Sequence, residues 1–126
     1  MKILRTPDEC FDNLEDYPFE PNYIDIEHDD QTLRMHFLDE NSESEEIVLL
    51  MHGEPTWSYL YRKIIPILVS NGKRVIAPDL IGFGKSDKPS SREDYSYANH
   101  IMWVETLIKK LDLKNIIFFA QDWGGL

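Results

Sequence analysis

Residues 116–125 read IIFFAQDWGG, an apolar run that ends in a carboxylate flanked by small residues. The apolar run predicts a strand, and the small residues Ala120, Gly124 and Gly125 allow backbones to approach closely where that strand turns into a helix. This is the pattern of a nucleophile elbow, with Asp122 in the nucleophile's place. Because a carboxylate is already ionised at neutral pH, Asp122 can attack a saturated carbon and form an ester without first losing a proton to a base.

Two further apolar runs, at residues 47–51 and 75–77, share with residues 116–119 the lack of polar alternation that is typical of strands covered on both faces. Helical patterns over residues 59–70 and 99–111 separate the three runs. Alternation of strands and helices indicates right-handed crossovers and an open parallel sheet with helices on both faces. The fold class predicted from this order is α/β.

The residues before the first parallel strand follow a different pattern. Residues 23–27 and 33–37 alternate in polarity, and residues 29–31 between them predict the turn of an antiparallel hairpin. Residues 1–22 are rich in proline and charge and predict an extended arm. Pro66 interrupts the first helical pattern, so we expect a short turn over residues 59–65 and a second segment beginning near Pro66.

The composition of the chain excludes some classes of molecule that it could bind. The 126 residues include 13 basic and 23 acidic side chains, and the net charge of -10 argues against nucleic acids and anionic membranes as partners. Cys10 is the single cysteine, so an internal disulfide is not expected. The N-terminus lacks an apolar stretch of the length of a signal or membrane segment. We expect one domain in the cytoplasm.

The segments that follow the three parallel strands should meet at one rim of the sheet, where open sheets of this kind bind ligands. The backbone N–H groups of Trp123 and Glu54 would there form an oxyanion hole beside Asp122. Pro55 fixes the loop that carries Glu54, either through a trans or a cis bond. The indole N–H of Trp123 suits a weakly hydrated anion such as a departing halide, although an aromatic wall that only packs substrate is the alternative.

Other conspicuous residues are given structural roles. His52 lies between a strand and a glycine, so we expect it to pack under the loop and not to act as a base. Residues 82–87 lack the spacing of a phosphate loop and predict a tight turn that shapes the rim. Trp57 and Trp103 lie in or beside helical patterns and are expected in the core.

Three motifs carry a resemblance to a known family. They are HGEPTWSYLYRK at 52–63, RVIAPDLIGFGKSDKP at 74–89 and QDWGGL at 121–126, and together they resemble the haloalkane dehalogenases of the α/β-hydrolase fold. The similarity continues through the N-terminal arm. Asp-Trp-Gly-Gly is shared with epoxide hydrolases, but Glu54 combined with Gln121 favours the dehalogenases.

The resemblance implies a mechanism with no cofactor and no metal. Asp122 would displace halide from an alkyl halide, and a histidine-activated water would hydrolyse the ester to an alcohol. Trp123 would bind the halide, and the amides of Glu54 and Trp123 would form the oxyanion hole. A carboxylate cannot donate a hydrogen bond to halide, so Glu54 indicates the branch of the family in which a cap tryptophan is the second halide donor. Haloalkane, water and halide are the implied partners, and the full-length enzyme is expected to be a monomer.

The resemblance also implies that residues 1–126 are the N-terminal half of a hydrolase core, with residues 1–22 as its arm. The cap domain, the C-terminal half, the base histidine and its acid would lie beyond Leu126, so we expect the chain not to turn over haloalkanes alone. His28, His36 and His100 do not match the family's base and are expected in the core or at the surface. An epoxide hydrolase and a non-catalytic protein of the same fold are the alternatives.

Overall fold

A computed structural model describes residues 1–125, and for Trp123 it describes the backbone alone. Within this range seven strands and two α-helices follow one another along the chain. They are β1 (Ile3–Leu4), β2 (Asn22–His28), β3 (Gln31–Glu40), β4 (Ile47–Met51), α1 (Ile64–Ser70), β5 (Arg74–Pro78), β6 (Lys88–Pro89), α2 (Tyr97–Lys110) and β7 (Ile117–Ala120). Short 3-10 turns lie at Asp8–Phe11, Ser58–Tyr61, Arg92–Asp94 and Asp122–Gly125.

Five strands form one mixed sheet in the order β2-β3-β5-β4-β7. Strand β3 pairs antiparallel with both β2 and β5, whereas β4 lies parallel to β5 and to β7. The predicted combination of an antiparallel hairpin and a parallel core is therefore confirmed, as is the α/β class. The two short strands β1 and β6 pair separately and antiparallel.

The hairpin is longer than its alternating pattern predicts. Its turn has two residues, Asp29 and Asp30, because Gln31 already pairs with His28 across the strands. Asp29 has a φ of 53°, the left-handed conformation that aspartate tolerates better than most side chains. At the other end β3 runs on to Glu40, since Phe37 pairs with both β2 and β5 and the residues after it pair with β5 alone.

The core lies on both faces of β4, whose five residues are all buried. Leu49 and its neighbours on one face pack with Trp103 and Leu107 of α2. Leu50 and the other face pack with Ile65 of α1. Alternate residues of a strand point to opposite faces, so a strand between two helical layers must be apolar at every position.

Strand β7 differs from its predicted environment. The uniform apolar run predicts cover on both faces, but Ile117, Phe118 and Phe119 are 53%, 53% and 49% exposed. The physical reason is that, among the described elements, β7 packs chiefly against β4 at the edge of the sheet and receives little cover from either helix. An apolar run encodes the need for burial and does not say how many neighbours supply it.

Both helices begin earlier than predicted. Helix α1 starts at Ile64, which places Pro66 in the first turn, where a missing backbone N–H breaks no intrahelical bond. Helix α2 starts at Tyr97, and the hydroxyl of Ser96 accepts a hydrogen bond from the N–H of Asn99 as an N-cap. Trp103 is fully buried in α2, as predicted.

The N-terminal arm is held to the domain by specific contacts. The guanidinium of Arg5 donates two hydrogen bonds, of 2.6 and 2.8 Å, to the carboxylate of Asp87. Tyr17 packs against Trp57, which is partly buried, with ring centroids 5.3 Å apart. No α-helix of the described chain is both long and apolar enough to cross a bilayer.

The exposed edge of β7 predicts that copies of the chain associate with one another. Ile117→Lys should raise the soluble fraction about twofold or more, because a charge on an edge strand opposes pairing with another edge. Ile67→Lys is the matched control, since Ile67 is 60% exposed but lies on a helix. Light scattering of both variants against the unsubstituted chain measures the effect, and equal gains from both would contradict edge pairing as the cause.

Candidate active site

The elbow at the end of β7 rests on a close approach of backbones. A Cβ added to Gly124 would lie 2.6 Å from the carbonyl oxygens of both Met51 and His52 at the end of β4. The N–H of Gln121 donates to the same Met51 carbonyl at 3.1 Å. Asp122 follows with a φ of 57°, the left-handed conformation that turns the chain sharply out of the strand. The elbow thus presents an exposed carboxylate above the sheet.

The loop after β4 brings a backbone donor to this carboxylate. The N–H of Glu54 donates to Asp122 Oδ2 over 3.4 Å, a length that is common for catalytic contacts without substrate. Gly53 permits the approach, because a Cβ there would lie 2.5 Å from the Cβ of Asp122 and 2.7 Å from the carbonyl oxygen of Gln121. The peptide bond between Glu54 and Pro55 is cis. Two of the three predicted site residues, Asp122 and Glu54, are therefore adjacent.

The third predicted site residue, Trp123, has a side chain that lies outside the described residues. Its backbone belongs to the 3-10 turn Asp122–Gly125. The amide and indole roles assigned to Trp123 remain predictions.

His52 is fully buried beneath the loop, where the sequence predicts it. Its Nδ1 lies 2.8 Å from the carbonyl oxygen of Gly53, and its Nε2 accepts a hydrogen bond of 2.9 Å from the N–H of Leu80. Burial lowers the pKa of His52, which favours the neutral imidazole. Both ring nitrogens are occupied, so His52 has no free nitrogen to deprotonate a water.

Asp79 is a functional-site neighbour to which the sequence assigned no role. Its fully buried carboxylate accepts hydrogen bonds from the backbone N–H of Ser58 at 2.7 Å and of Lys85 at 2.9 Å, and it pairs with Nδ1 of His36 at 2.8 Å. These contacts join the loop after the cis proline, the glycine-rich turn and β3. The one available signal was an acidic residue directly after a buried apolar strand, a position where burial demands partners.

The electrostatics of Asp79 follow from these contacts. Burial by itself would raise the pKa of the carboxyl. The hydrogen bond and charge of His36, together with the two backbone donors, outweigh burial and hold the pKa of Asp79 below its ordinary value of 3.8. Asp79 is therefore ionised in the folded chain at neutral pH.

The glycine-rich turn shapes the rim, as predicted. Gly82 has a φ of 100°, and its N–H donates to the carbonyl of Asp87 at 2.9 Å to close the turn. A Cβ on Gly84 would collide with the carboxylate of Asp79. The turn therefore packs its backbone onto Asp79 and leaves no cradle of free N–H groups for a phosphate.

The remaining histidines take structural positions. His36 is buried with Asp79, and the ring of His28 packs on Trp103 with centroids 5.7 Å apart. His100 is half-buried on α2, and burial lowers its pKa. Among the described residues, no histidine contacts Asp122, and no cluster of histidine, cysteine and acidic side chains could hold a metal ion.

A cavity of about 530 Å³ opens beside the elbow. Its lining includes apolar side chains of β4, α2 and β7, among them Met51, Val104, Ile108 and Phe118, together with the acidic side chain of Glu105. Gly53, Glu54 and Gly124 form the end nearest the carboxylate. The arrangement places a carboxylate and a backbone donor beside a largely apolar space, which suits an uncharged, weakly polar ligand.

Comparison with known proteins gives a consistent result. Residues 46–126 match the family model described as the alpha/beta hydrolase fold. The whole chain is 58% identical to a haloalkane dehalogenase of Psychrobacter cryohalolentis and 55% identical to one of Mycolicibacterium paratuberculosis. In both comparisons it spans 42% of the relative's length.

Solved structures of a haloalkane dehalogenase and of an epoxide hydrolase superpose on this chain. A tetrameric haloalkane dehalogenase from Paraglaciecola agarilytica superposes with a TM-score of 0.94 at 51% identity, over 99% of this chain and 42% of the other. An epoxide hydrolase from Vigna radiata superposes with a TM-score of 0.70 at 30% identity, over 83% of this chain and 32% of the other.

Asp79→Asn should lower the free energy of unfolding by about 3 kcal/mol at pH 7, because it removes the buried carboxylate that accepts hydrogen bonds from Ser58 and Lys85 and pairs with His36. The pKa of Asp79 is lowered by folding, so its stabilisation is present above the ordinary value of 3.8 and is lost as pH falls through the folded value. The difference in unfolding free energy between the Asp79→Asn variant and the unsubstituted chain should therefore shrink in strong acid. Urea unfolding at several pH values measures it, with Asp30→Asn in the exposed turn as control, and a constant difference would contradict the assignment.

Gly124→Ala should cost about 2 kcal/mol of unfolding free energy, because the new methyl group meets two backbone carbonyls that cannot move independently. Gly125→Ala is the matched control, since its Cβ would lie 3.8 Å from the nearest atom, the Cβ of Ala120. The control should change stability by less than about 0.5 kcal/mol. Equal urea midpoints for the two variants would show that the elbow does not depend on this approach.

Proposed function

Since the chain belongs to the α/β-hydrolase fold family, we propose that it forms the nucleophile-bearing part of a haloalkane dehalogenase. The observation that carries this proposal is the hydrogen bond between the carboxylate of Asp122 on the elbow and the N–H of Glu54, a residue that lines a largely apolar cavity. Identities of 50–58% to haloalkane dehalogenases along the whole chain support the choice of reaction.

In the proposed first step, a carboxylate oxygen of Asp122 attacks the carbon that bears the halogen. The carbon–halogen bond breaks, halide leaves with the bonding electron pair, and an alkyl ester of Asp122 remains. The N–H of Glu54 holds Oδ2, so Oδ1 is the oxygen directed at the substrate. The indole N–H of Trp123 is proposed to receive the halide.

In the proposed second step, water attacks the carbonyl carbon of the ester. The amides of Glu54 and Trp123 would stabilise the developing oxyanion, and one such donor is typically worth roughly 3 to 4 kcal/mol. The attacking water needs a general base, which His52 cannot supply because both its ring nitrogens are engaged. We propose that the chain by itself becomes alkylated at Asp122 but does not turn over, because turnover needs a base for the water that the described residues do not place beside Asp122.

An epoxide hydrolase is the second candidate, favoured by the solved structures from Vigna radiata at 30% identity. Such an enzyme would use the same Asp122 but needs acidic donors to protonate the epoxide oxygen. Glu54 and Gln121, and the higher identity to dehalogenases, favour halide displacement. A non-catalytic protein of this fold would tolerate Asp122→Asn without functional change.

The proposed partners are a small haloalkane, water and halide, without a cofactor. A cytoplasmic location remains a prediction. The tetrameric relative does not support the expectation of a monomeric full-length enzyme.

Exposure of the chain to 1-bromohexane should add one hexyl group to its intact mass and release one equivalent of bromide. Asp122→Asn should do neither, because an amide is a poor nucleophile. A terminal epoxide of equal length, assayed in parallel, separates the two candidates through the faster reaction. Absence of the adduct would sink the nucleophile assignment, and continuous bromide release would overturn the proposal that turnover needs further residues.

A further inference from the structure

The buried ring of His52 connects the two loops that form the rim of the site. Nε2 accepts from the N–H of Leu80, which follows β5, and Nδ1 faces the carbonyl of Gly53, which follows β4. The ring of Phe83 packs edge-on against it with centroids 5.4 Å apart. The side chain therefore has a single environment, defined on both nitrogens and on one face.

The partners of His52 determine its tautomer. A backbone N–H can only donate, so Nε2 must be the unprotonated nitrogen that accepts from Leu80. In a neutral imidazole the proton then lies on Nδ1, which donates to the carbonyl of Gly53. Burial lowers the pKa of His52, in agreement with a neutral ring.

The carbonyl of Gly53 belongs to the peptide unit that carries the N–H of Glu54. This oxygen accepts from Nδ1 of His52 at 2.8 Å and from the N–H of Thr56 at 3.3 Å. Because a trans peptide is planar, with its C=O and N–H pointing in opposite directions, fixing the oxygen also fixes the N–H. That N–H points at Oδ2 of Asp122 on the other side of the peptide.

We infer that His52 is a positioning residue, whose Nδ1–H orients the peptide between Gly53 and Glu54 so that the N–H of Glu54 stays directed at the ester of Asp122. The inference rests on the proposed function, since it gives that N–H its purpose as an oxyanion donor. The N–H of Leu80 has an indirect effect: its hydrogen bond to Nε2 favours the tautomer of His52 that can donate to Gly53. His52 itself touches neither substrate nor the reacting atoms.

Two substitutions test the hydrogen bonds of the two ring nitrogens of His52 separately. His52→Asn places an amide nitrogen near the position of Nδ1, so it can still donate to Gly53 but cannot accept from Leu80. His52→Gln places an amide oxygen near Nε2, so it can still accept from Leu80 but leaves Gly53 without this donor. A role limited to joining the loops would make the two variants equivalent or favour glutamine.

The readout is cleavage of the Asp122 ester by hydroxylamine, which replaces the water of the second step. The nitrogen attacks the ester carbonyl, an oxyanion forms, and the alcohol leaves with a proton, so Asp122 becomes a hydroxamate. After alkylation with 1-bromohexane, intact mass follows the conversion. His52→Gln should slow cleavage about tenfold or more, and His52→Asn should stay within about threefold of the unsubstituted chain, because loss of an oriented oxyanion donor typically costs a factor of 10² to 10³.

The tautomer itself can be measured without any variant. Long-range ¹H–¹⁵N spectra of the labelled chain at pH 7 distinguish the two neutral tautomers and the imidazolium, and contacts with the Phe83 ring protons identify His52. The Nδ1–H tautomer is expected. An Nε2–H tautomer or an imidazolium would overturn the inference, even if neither variant folds.

The outcomes distinguish the inference from the function on which it rests. Absence of alkylation in the unsubstituted chain would overturn the proposed function and the purpose given to His52. Alkylation followed by equal cleavage rates in the two folded variants would overturn the inference alone. Slower cleavage in His52→Gln than in His52→Asn, with the Nδ1–H tautomer, would support it.

Discussion

The site depends on the close approach of two backbones at the end of β4. The carbonyl of Met51 accepts from the N–H of Gln121 and from the hydroxyl of Tyr61 at 2.7 Å, which fixes the last residue of the strand. The elbow then lies against this strand end, and the absence of a side chain at Gly124 and Gly53 sets how near it can come. A methyl group at either glycine would collide with the facing chain, so the elbow and the end of β4 would have to move apart.

Polar groups beneath the rim hold the loops in the conformation that this approach requires. Asp79 and His52 are both fully buried, and each bonds to segments that follow different strands. A buried polar group without partners destabilises a fold, whereas one whose partners come from several loops resists the displacement of any of them. The rim is thus rigid where the chemistry needs oriented donors, although its backbone has no regular secondary structure there.

The side chains of strand β7 affect both the stability of the chain and the shape of the candidate active site. Asp122 lies just beyond the carboxyl end of β7, yet the apolar side chains of the strand are about half exposed. The cavity beside the elbow shares this wall through Phe118. Any partner that covers β7 would therefore bury apolar side chains and also enclose the space in which a haloalkane is proposed to react.

Much of the fold follows from local pattern. Uniform apolar runs predicted β4 and β5 within a residue or two, alternation predicted the hairpin, and the small residues around Asp122 predicted the elbow. These features depend on side-chain periodicity and on steric limits within a few residues, which a sequence displays directly. The tertiary structure alone decided that β7 has β4 as its one neighbour among the described strands, because strand pairing joins segments that are distant in sequence. It also decided that Asp79 pairs with His36 and that His52 bonds to Leu80, since each pair joins residues 28 or more positions apart whose contact no local pattern encodes.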